Sequence, residues 1–148
     1  MGIYLNPENV DFQEVLNSKI YVDKSELIQY TNSVLRTTQK YICVSRPRRF
    51  GKSMAANMLT AYYSRGCDSR KLFQGLKIAT HPDFEKHLNQ YNVIHLNMQN
   101  FLSKTQTIEQ MIALITKAVG RDLLRAYPDV DYLDKTILTF TLDDIYQD

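Results

Sequence analysis

The sequence lacks several features that would assign it to a class of protein, and each absence narrows the interpretation. It holds 2 cysteines among 148 residues, too few for a disulfide framework, so we expect reduced thiols. No apolar run approaches the roughly 20 residues that span a membrane, and no signal-peptide pattern opens the chain. The 18 Lys and Arg residues nearly balance the 16 Asp and Glu residues, which gives no global argument for nucleic-acid or membrane binding. We therefore expect a cytoplasmic protein with no membrane partner, whose length allows one domain with one core.

A glycine is also missing from the one motif that stands out. The segment 46–53, called the basic loop below, reads Arg46-Pro47-Arg48-Arg49-Phe50-Gly51-Lys52-Ser53. Its second half fits the phosphate-binding pattern G-x-x-x-x-G-K-[ST]. In its first half, Arg46 stands where the pattern has glycine, and Pro47 removes one possible N–H donor. The match to a phosphate-binding loop is therefore specific at one end and irregular at the other.

The residues on either side of the basic loop fit a strand–loop–helix unit. Before it, the apolar run Tyr41-Ile42-Cys43-Val44 predicts a buried parallel strand, with Cys43 in the core. After it, apolar residues recur on one helical face, at Met54, Ala55, Met58, Leu59 and Tyr62. In such a unit, backbone N–H groups and a helix N-terminus converge on a phosphate.

The residue types of the basic loop each have a role in the phosphate-binding interpretation. Gly51 would let the backbone approach a phosphate without a side chain in the way. Lys52 would place its ammonium near the β- and γ-phosphates, and the Ser53 hydroxyl would ligate Mg²⁺. We therefore predict ATP and Mg²⁺ as cofactors, with Ser53 as the metal ligand. The predicted nucleotide-binding set is Arg48, Arg49, Phe50, Gly51, Lys52, Ser53 and Met54.

Two other interpretations of the basic loop stay open. It could be an ordinary turn between a strand and a helix, in which Lys52 is a solvated lysine. Alternatively, the chain is a non-catalytic interaction module, in which Arg48 and Arg49 contact nucleic acid or an acidic partner and no nucleotide binds. A nucleotide titration separates these interpretations from the leading one.

Elsewhere the pattern alternates helices with a second strand. Residues 93–98 predict a buried strand with His95 packed in it, and Thr107 begins a long amphipathic helix that Tyr127 and Pro128 end. Shorter helices are predicted after a cap at Asn9 or Asp11, after Asp23, and from Pro82 to Leu88. Two apolar strands separated by helices indicate an α/β fold with parallel strands.

The C-terminal segment allows two predictions. Residues 138–144 could form a strand that ends in Asp143 and Asp144, as a Walker B strand ends in acids. Alternatively, Thr141 caps a helix. Threonines interrupt the strand pattern, so we favour the helix. In that case no acid that holds Mg²⁺ or orients water is assignable, the catalytic residues stay unknown, and we expect nucleotide binding with little or no hydrolysis.

The basic loop, together with Ser45, resembles the phosphate-binding loop of the predicted AAA-ATPase-like family of prokaryotes. Other matching segments extend the likeness over nearly the whole chain: Tyr21-Val22-Asp23-Lys24, Ala61-Tyr62-Tyr63, Leu72-Phe73-Gln74-Gly75-Leu76 and Val93-Ile94-His95-Leu96-Asn97. In that family the Arg-Pro variant of the loop is usual. The resemblance therefore implies that the irregular first half of the loop is a family feature.

The resemblance implies a fold and partners as well. It implies a partial P-loop NTPase domain with three layers, α/β/α, of which residues 1–148 form the N-terminal part, truncated before the Walker B strand. Family members often carry a C-terminal restriction-endonuclease-like nuclease domain, which would bring nucleic acid as a partner and is not expected in this chain. Asn97 ends the second strand where family members often have a carboxylate. A truncated core would leave strand edges and apolar faces uncovered, so we expect self-association.

The resemblance also gives residues 21–24 two interpretations. They could line the base and ribose of a nucleotide, as the N-terminal part of related ATPases does. The simpler prediction, which we favour, is a turn in which Asp23 caps the following helix.

Overall fold

The computed structural model describes residues 2–147, and the regular elements of that part of the chain are helices. They follow in the order α1 (Val10–Leu16), α2 (Glu26–Val34), α3 (Lys52–Tyr63), α4 (Arg70–Phe73), a 3-10 helix (Lys77–Thr80), α5 (Phe84–His87), α6 (Met98–Leu102), α7 (Ile108–Ala126) and α8 (Leu138–Gln147). The β-structure of the described residues consists of two isolated bridges, Leu5 with Ile94 and Ser64 with Tyr91.

The prediction of a three-layer α/β/α domain with parallel strands is therefore wrong. Within residues 2–147, the segment 41–45 forms no strand, and Cys43, which was expected in the core, is exposed. In the second predicted strand, 93–98, Ile94 forms an isolated antiparallel bridge to Leu5, and the described residues of this segment form no named strand. An apolar, β-branched run fits a pleated and half-buried surface, but whether it pairs depends on its tertiary context. The amino-acid pattern of these runs gave no information on which segments they would contact in the folded chain.

The chain forms two compact units. The first unit is Glu8–Val93, and the second unit combines Met1–Pro7 with Ile94–Asp148. The first unit contains α1 to α5 and the 3-10 helix, and the second contains α6 to α8. None of the helices in the described part of the chain combines the length and the apolar character that crossing a membrane requires.

An aromatic core holds the first unit together. Phe12 of α1 stacks on Phe73 of α4 with ring centroids 5.1 Å apart, and Tyr62 of α3 meets Phe73 edge-on at 5.6 Å. The Tyr62 hydroxyl donates to the carbonyl of Phe84 at 2.8 Å, so its buried polar end is satisfied. The other buried members are Ile28, Met58, Ala61, Ile78, Phe84 and Leu88. This core packs α3 against α1 and thereby positions the end of α3 that follows the basic loop.

Asn89 closes the opposite, C-terminal end of α3. Its backbone has a positive φ of 55°, a conformation that asparagine tolerates better than most residues. Its side-chain amide donates to the carbonyls of Ala61 at 2.9 Å and Ser64 at 2.7 Å. Its backbone N–H donates to the carbonyl of Tyr62 at 2.7 Å. These bonds satisfy carbonyls that the end of a helix leaves without intrahelical partners.

Asp23 connects the start of α2 to the 3-10 helix. Its carboxylate accepts hydrogen bonds from the N–H groups of Ser25 and Lys77, both at 2.8 Å. Burial by itself would raise the pKa of Asp23, but these backbone donors outweigh it and hold the pKa below its ordinary value. The N-cap residue of α2 is Ser25 rather than the predicted Asp23. Residues 21–24 thus form a turn whose carboxylate ties two elements together.

Helix α7 is the longest element of the second unit, and its predicted ends are confirmed. Thr107 is its N-cap residue, and the Thr107 hydroxyl accepts a hydrogen bond from the N–H of Gln110 at 3.2 Å. Tyr127 is its C-cap residue. The periodicity and the capping residues of this segment are local signals, and they were sufficient to place the helix.

The core of the second unit is small. Val119 and Leu123 of α7 and Leu5 are its buried members, and the residues packed around them are Tyr4, Leu96, Ile115, Tyr127, Leu138, Leu142 and Ile145. Asp122 is also buried, and its carboxylate accepts a hydrogen bond from the N–H of Tyr4 at 2.8 Å. The N-terminal segment is thereby held against α7.

Helix α8 decides between the two predictions for the C-terminal segment. Because Leu138–Gln147 is helical, the Walker B strand is wrong and the helix is confirmed. The predicted start was too late, since Thr141 lies inside the helix and its hydroxyl donates to the carbonyl of Ile137 at 3.2 Å. Asp144 accepts a hydrogen bond from the N–H of Leu133 at 3.0 Å.

Candidate functional site

The basic loop leads directly into the N-terminus of α3. Gly51 is the N-cap residue, and its φ of 76° and ψ of 27° lie in the left-handed region. A Cβ atom at this position would lie 2.8 Å from the Nζ atom of Lys24. Glycine is therefore favoured here by the backbone conformation, and the ammonium of Lys24 lies close to it.

The first turn of α3 consists of exposed residues whose backbone N–H groups lack helical hydrogen bonds. Lys52, Ser53 and Met54 occupy this turn, where N–H groups have no intrahelical carbonyl to bind. No side chain of the described residues caps it. Regular helical bonding begins at Ala55, whose N–H donates to the carbonyl of Gly51 at 2.9 Å. The uncapped N–H groups and the positive end of the helix dipole make this helix end suited to an anion.

Lys52 folds back onto the first half of the basic loop. Its Nζ atom donates to the carbonyl of Arg46 at 2.6 Å and to that of Pro47 at 3.0 Å. An ammonium group has three N–H donors, so these two bonds leave one donor for a ligand. The side chain of Lys52 therefore holds in place the first residues of the loop, which depart from the phosphate-binding pattern.

Lys24 joins the site from the turn before α2. Its Nζ atom donates to the carbonyl of Phe50 at 3.0 Å, across a separation of 26 residues. The exposed ammonium adds a positive charge next to Gly51. Sequence reasoning did not assign Lys24 to the loop. The only signal was its membership of the segment 21–24, which was considered for the base and ribose.

The charge of the site is positive and carries no ion pair among residues 2–147. Four exposed cations fall within seven residues of the loop, at Arg46, Arg48, Arg49 and Lys52. The ion pairs in this part of the chain join Arg70 to Glu85 and Lys77 to Glu26. The first turn of α3 contains no acid. An anionic ligand would therefore meet cations that no acidic side chain neutralises.

The remaining predicted residues lie at the surface around this helix end. Arg49 has a positive φ of 68°, which is uncommon for a residue other than glycine. Phe50 is 61% exposed and Met54 is 37% exposed. Ser53 is exposed in the first turn of α3, so its hydroxyl is accessible to a metal ion. The structure thus brings the predicted set together at one surface.

A metal ion at this position would need oxygen ligands besides the Ser53 hydroxyl. In the described residues, no three His, Cys, Asp or Glu side chains are grouped so that they could hold a metal ion. Mg²⁺ commonly keeps several waters and binds through substrate phosphates and one or two protein oxygens. The hydroxyl of Ser53 fits such a minor contribution to a phosphate-bound Mg²⁺.

The cavity next to the site is too small for a nucleotide base. It lies among apolar side chains of α1 and α3 together with Tyr21, Val22 and Lys24, and its volume is about 10 Å³. That volume corresponds to about one water molecule. Burial, followed by the negative charge of Asp23, raises the pKa of Tyr21. Residues 21–24 therefore offer a lysine to the loop, and this small cavity does not enclose a base.

Comparison with known proteins identifies a family. No curated protein and no solved structure matches the chain. A family model described as Predicted AAA-ATPase matches residues 10–147. The matched stretch contains the basic loop and Lys24, and it covers almost the whole sequence. The chain therefore belongs to the predicted AAA-ATPase family.

Proposed function

We propose that the chain binds the phosphates of ATP or ADP at the basic loop. The observation that carries this proposal is the uncapped N-terminus of α3, which follows Gly51 in a left-handed conformation and lies beside the ammonium of Lys24. The family description points to nucleotide binding in general. The geometry and the charge of the loop favour this location for it.

Different groups of the site would make different contacts with a bound phosphate. Backbone N–H groups of the first turn of α3 would donate to phosphate oxygens, as in other anion sites at helix N-termini. The third donor of Lys52 and the ammonium of Lys24 would offset the negative charge. Mg²⁺, when bound, would neutralise further phosphate charge, with the Ser53 hydroxyl as its protein ligand.

The phosphates rather than the base would supply most of the affinity. The donors and cations of the site surround the helix end, whereas the adjacent cavity holds no more than about one water molecule. We therefore expect ATP and GTP to bind with similar affinity, within a few-fold. Adenosine, which has no phosphate, should bind too weakly to be detected in the same titration.

Calorimetry with metal-free ATP tests this proposal. Lys52→Ala removes a charge-assisted contact, which contributes on the order of 1.5–3 kcal/mol, so its affinity should fall about tenfold or more. Lys19→Ala is the matched control, because Lys19 is an exposed lysine outside the loop. Equal affinity of the original chain, Lys52→Ala and Lys19→Ala for ATP would contradict nucleotide binding at the basic loop.

A second candidate function is the binding of nucleic acid or of an acidic partner through Arg48 and Arg49. The observation that favours it is that both side chains are exposed and form no ion pair in the described part of the chain. Binding to a nucleic-acid backbone would weaken steeply with salt. Salt-dependent binding of an oligonucleotide that persists in Lys52→Ala, and is lost when Arg48 and Arg49 are changed to Ala, would favour this second function.

A further inference from the structure

We propose that the first unit contains a second anion site, separate from the basic loop, which takes a phosphate or phosphate-monoester group. The site is a cleft of about 400 Å³ beside the end of α2, the end of α5 and the segment that follows α5. Its polar lining is Asn32, Arg36, Lys86, His87, Gln90 and Tyr91. A volume of about 300–1,000 Å³ is typical of small-molecule sites. The cleft shares no lining residue with the basic loop.

The basic side chains of the cleft carry the proposal. Arg36, Lys86 and His87 line one cavity, and none of the described side chains that line it is acidic. Burial lowers the pKa of His87, and the charge of Lys86 lowers it further; Asp83 opposes this, and Arg36 adds a smaller lowering. Lys86 and Arg36 therefore both lie close enough to His87 for their charges to act on it. An anion in the cleft would be attracted by both of these cations.

The walls of the cleft are fixed by hydrogen bonds, which suits a preformed site. The side chain of Asn32 accepts from the Tyr63 hydroxyl at 2.6 Å and donates to the Tyr62 hydroxyl at 3.2 Å. The Nδ1 atom of His87 lies 2.6 Å from the Tyr91 hydroxyl. The carboxamide and the imidazole are therefore held in place, while Arg36 and Lys86 are exposed and able to adjust to a ligand.

The backbone of Arg36 supports a functional role for this residue. It follows the C-cap residue of α2, Leu35, and has a positive φ of 59°. Residues other than glycine and asparagine adopt this conformation at a cost. Glycine would adopt this φ at a lower conformational cost than arginine. The presence of arginine is therefore better explained by a ligand-binding role of its guanidinium group. Guanidinium groups match the geometry of phosphate oxygens.

A phosphate titration of the Lys52→Ala chain tests the proposal, because that substitution weakens the other anion site. Inorganic phosphate is added, and backbone amide shifts are followed by NMR. We expect saturable shifts at residues 86–91. Lys86→Gln and Arg36→Asn, each in the Lys52→Ala background, should weaken the binding about tenfold. Asparagine is chosen at position 36 because it tolerates the left-handed backbone.

The matched control for these variants is Lys71→Gln, which removes one positive charge from an exposed lysine of the first unit outside the cleft. It should leave phosphate binding unchanged. The proposal is overturned if phosphate causes no saturable shifts at residues 86–91 in the Lys52→Ala chain. It is also overturned if Lys86→Gln and Lys71→Gln weaken the binding equally, since a general loss of charge would then explain the effect. Neither outcome bears on ATP binding at the basic loop.

Discussion

Lys24 donates a hydrogen bond from its Nζ atom to the carbonyl of Phe50, 3.0 Å away and 26 residues further along the chain. The same ammonium would lie 2.8 Å from a Cβ atom at position 51, so Lys24 lies directly beside Gly51. The turn before α2 is therefore attached to the helix end where phosphate binding is proposed. This candidate site is assembled by tertiary packing of the first unit and not by the loop alone.

Lys24→Met should weaken ATP binding about tenfold, because it removes one ammonium from the site and leaves the carbonyl of Phe50 without its donor. The melting temperature should change little, since Lys24 is exposed. Lys24→Arg keeps the charge and should recover part of the affinity. Calorimetry and thermal melts measure both effects. If Lys24→Met binds ATP as tightly as the original chain, Lys24 has no part in the site.

Asp23→Asn should destabilise the first unit at neutral pH and progressively less at acidic pH. The two carboxylate oxygens accept from the N–H groups of Ser25 and Lys77. In the Asp23→Asn variant the NH₂ group would replace one of these oxygens and would face an N–H donor without an acceptor. Because the folded pKa of Asp23 is depressed, its contribution is present above the unfolded-state pKa. That contribution is lost as the pH falls through the folded pKa.

Urea unfolding of both chains between pH 7 and pH 3 measures this dependence. The difference in the free energy of unfolding should shrink as the pH falls. Asp129→Asn, at an exposed carboxylate, serves as the control for a loss of negative charge. A difference for Asp23→Asn that stays constant over the whole pH range would show that the carboxylate charge does not matter there.

Asn89→Ala should lower the free energy of unfolding by about 1–3 kcal/mol, because the carbonyls of Ala61 and Ser64 lose their side-chain donor. Asn89→Gly loses the same bonds but fits the positive φ, so it should be less destabilising than Ala by about 1 kcal/mol. Urea denaturation compares the variants. Equal stability of Asn89→Gly and Asn89→Ala would mean that backbone conformation contributes nothing at this position.

Periodicity and the ends of α7 were predictable from the sequence because they depend on neighbouring residues, whereas the N-cap of α2 and the start of α8 were misplaced. Thr107 and Tyr127 are the capping residues of α7, as predicted. The C-terminal segment was predicted to be a helix because threonines interrupt its apolar run, and it is a helix. The parallel sheet was not predictable in this way. A strand needs a partner that can be anywhere in the chain, and the run 41–45 has the composition of a strand without a partner in the described residues.

The same distinction applies to the candidate site. Gly51, Lys52 and Ser53 were identified because a helix N-terminus after a glycine is a local arrangement. Lys24 was not assigned to the loop, since its contact with Phe50 spans 26 residues and depends on how the first unit packs. The cleft at Arg36 and Lys86 was missed for the same reason, because α2 and the residues after α5 are distant in sequence.

The exposed apolar segment before the basic loop should cause copies of the chain to associate. Tyr41 is 84%, Ile42 is 39% and Val44 is 45% exposed, and no backbone–backbone hydrogen bond of the described residues involves 41–45. A segment with exposed apolar side chains and unpaired backbone N–H and C=O groups can pair with a second copy of the chain. Sedimentation velocity over a range of concentrations should show growth beyond the monomer.

Val44→Lys should reduce this association, because a charge opposes pairing at an exposed apolar edge. Leu133→Lys is the control, since Leu133 is 86% exposed and lies outside the segment. A chain that stays monomeric at all concentrations would contradict the prediction. A reduction by Leu133→Lys as large as that by Val44→Lys would show that another surface is responsible.

We propose that backbone N–H groups at the start of α3 bind phosphate, and an NMR titration of the ¹⁵N-labelled chain with ADP observes these groups one by one. The largest saturable amide shifts should occur at residues 51–54, with the same affinity that calorimetry measures. Adenosine should not produce them, because it carries no phosphate. Saturable ADP binding that leaves the amides of residues 51–54 unshifted would contradict the claim and place the nucleotide elsewhere.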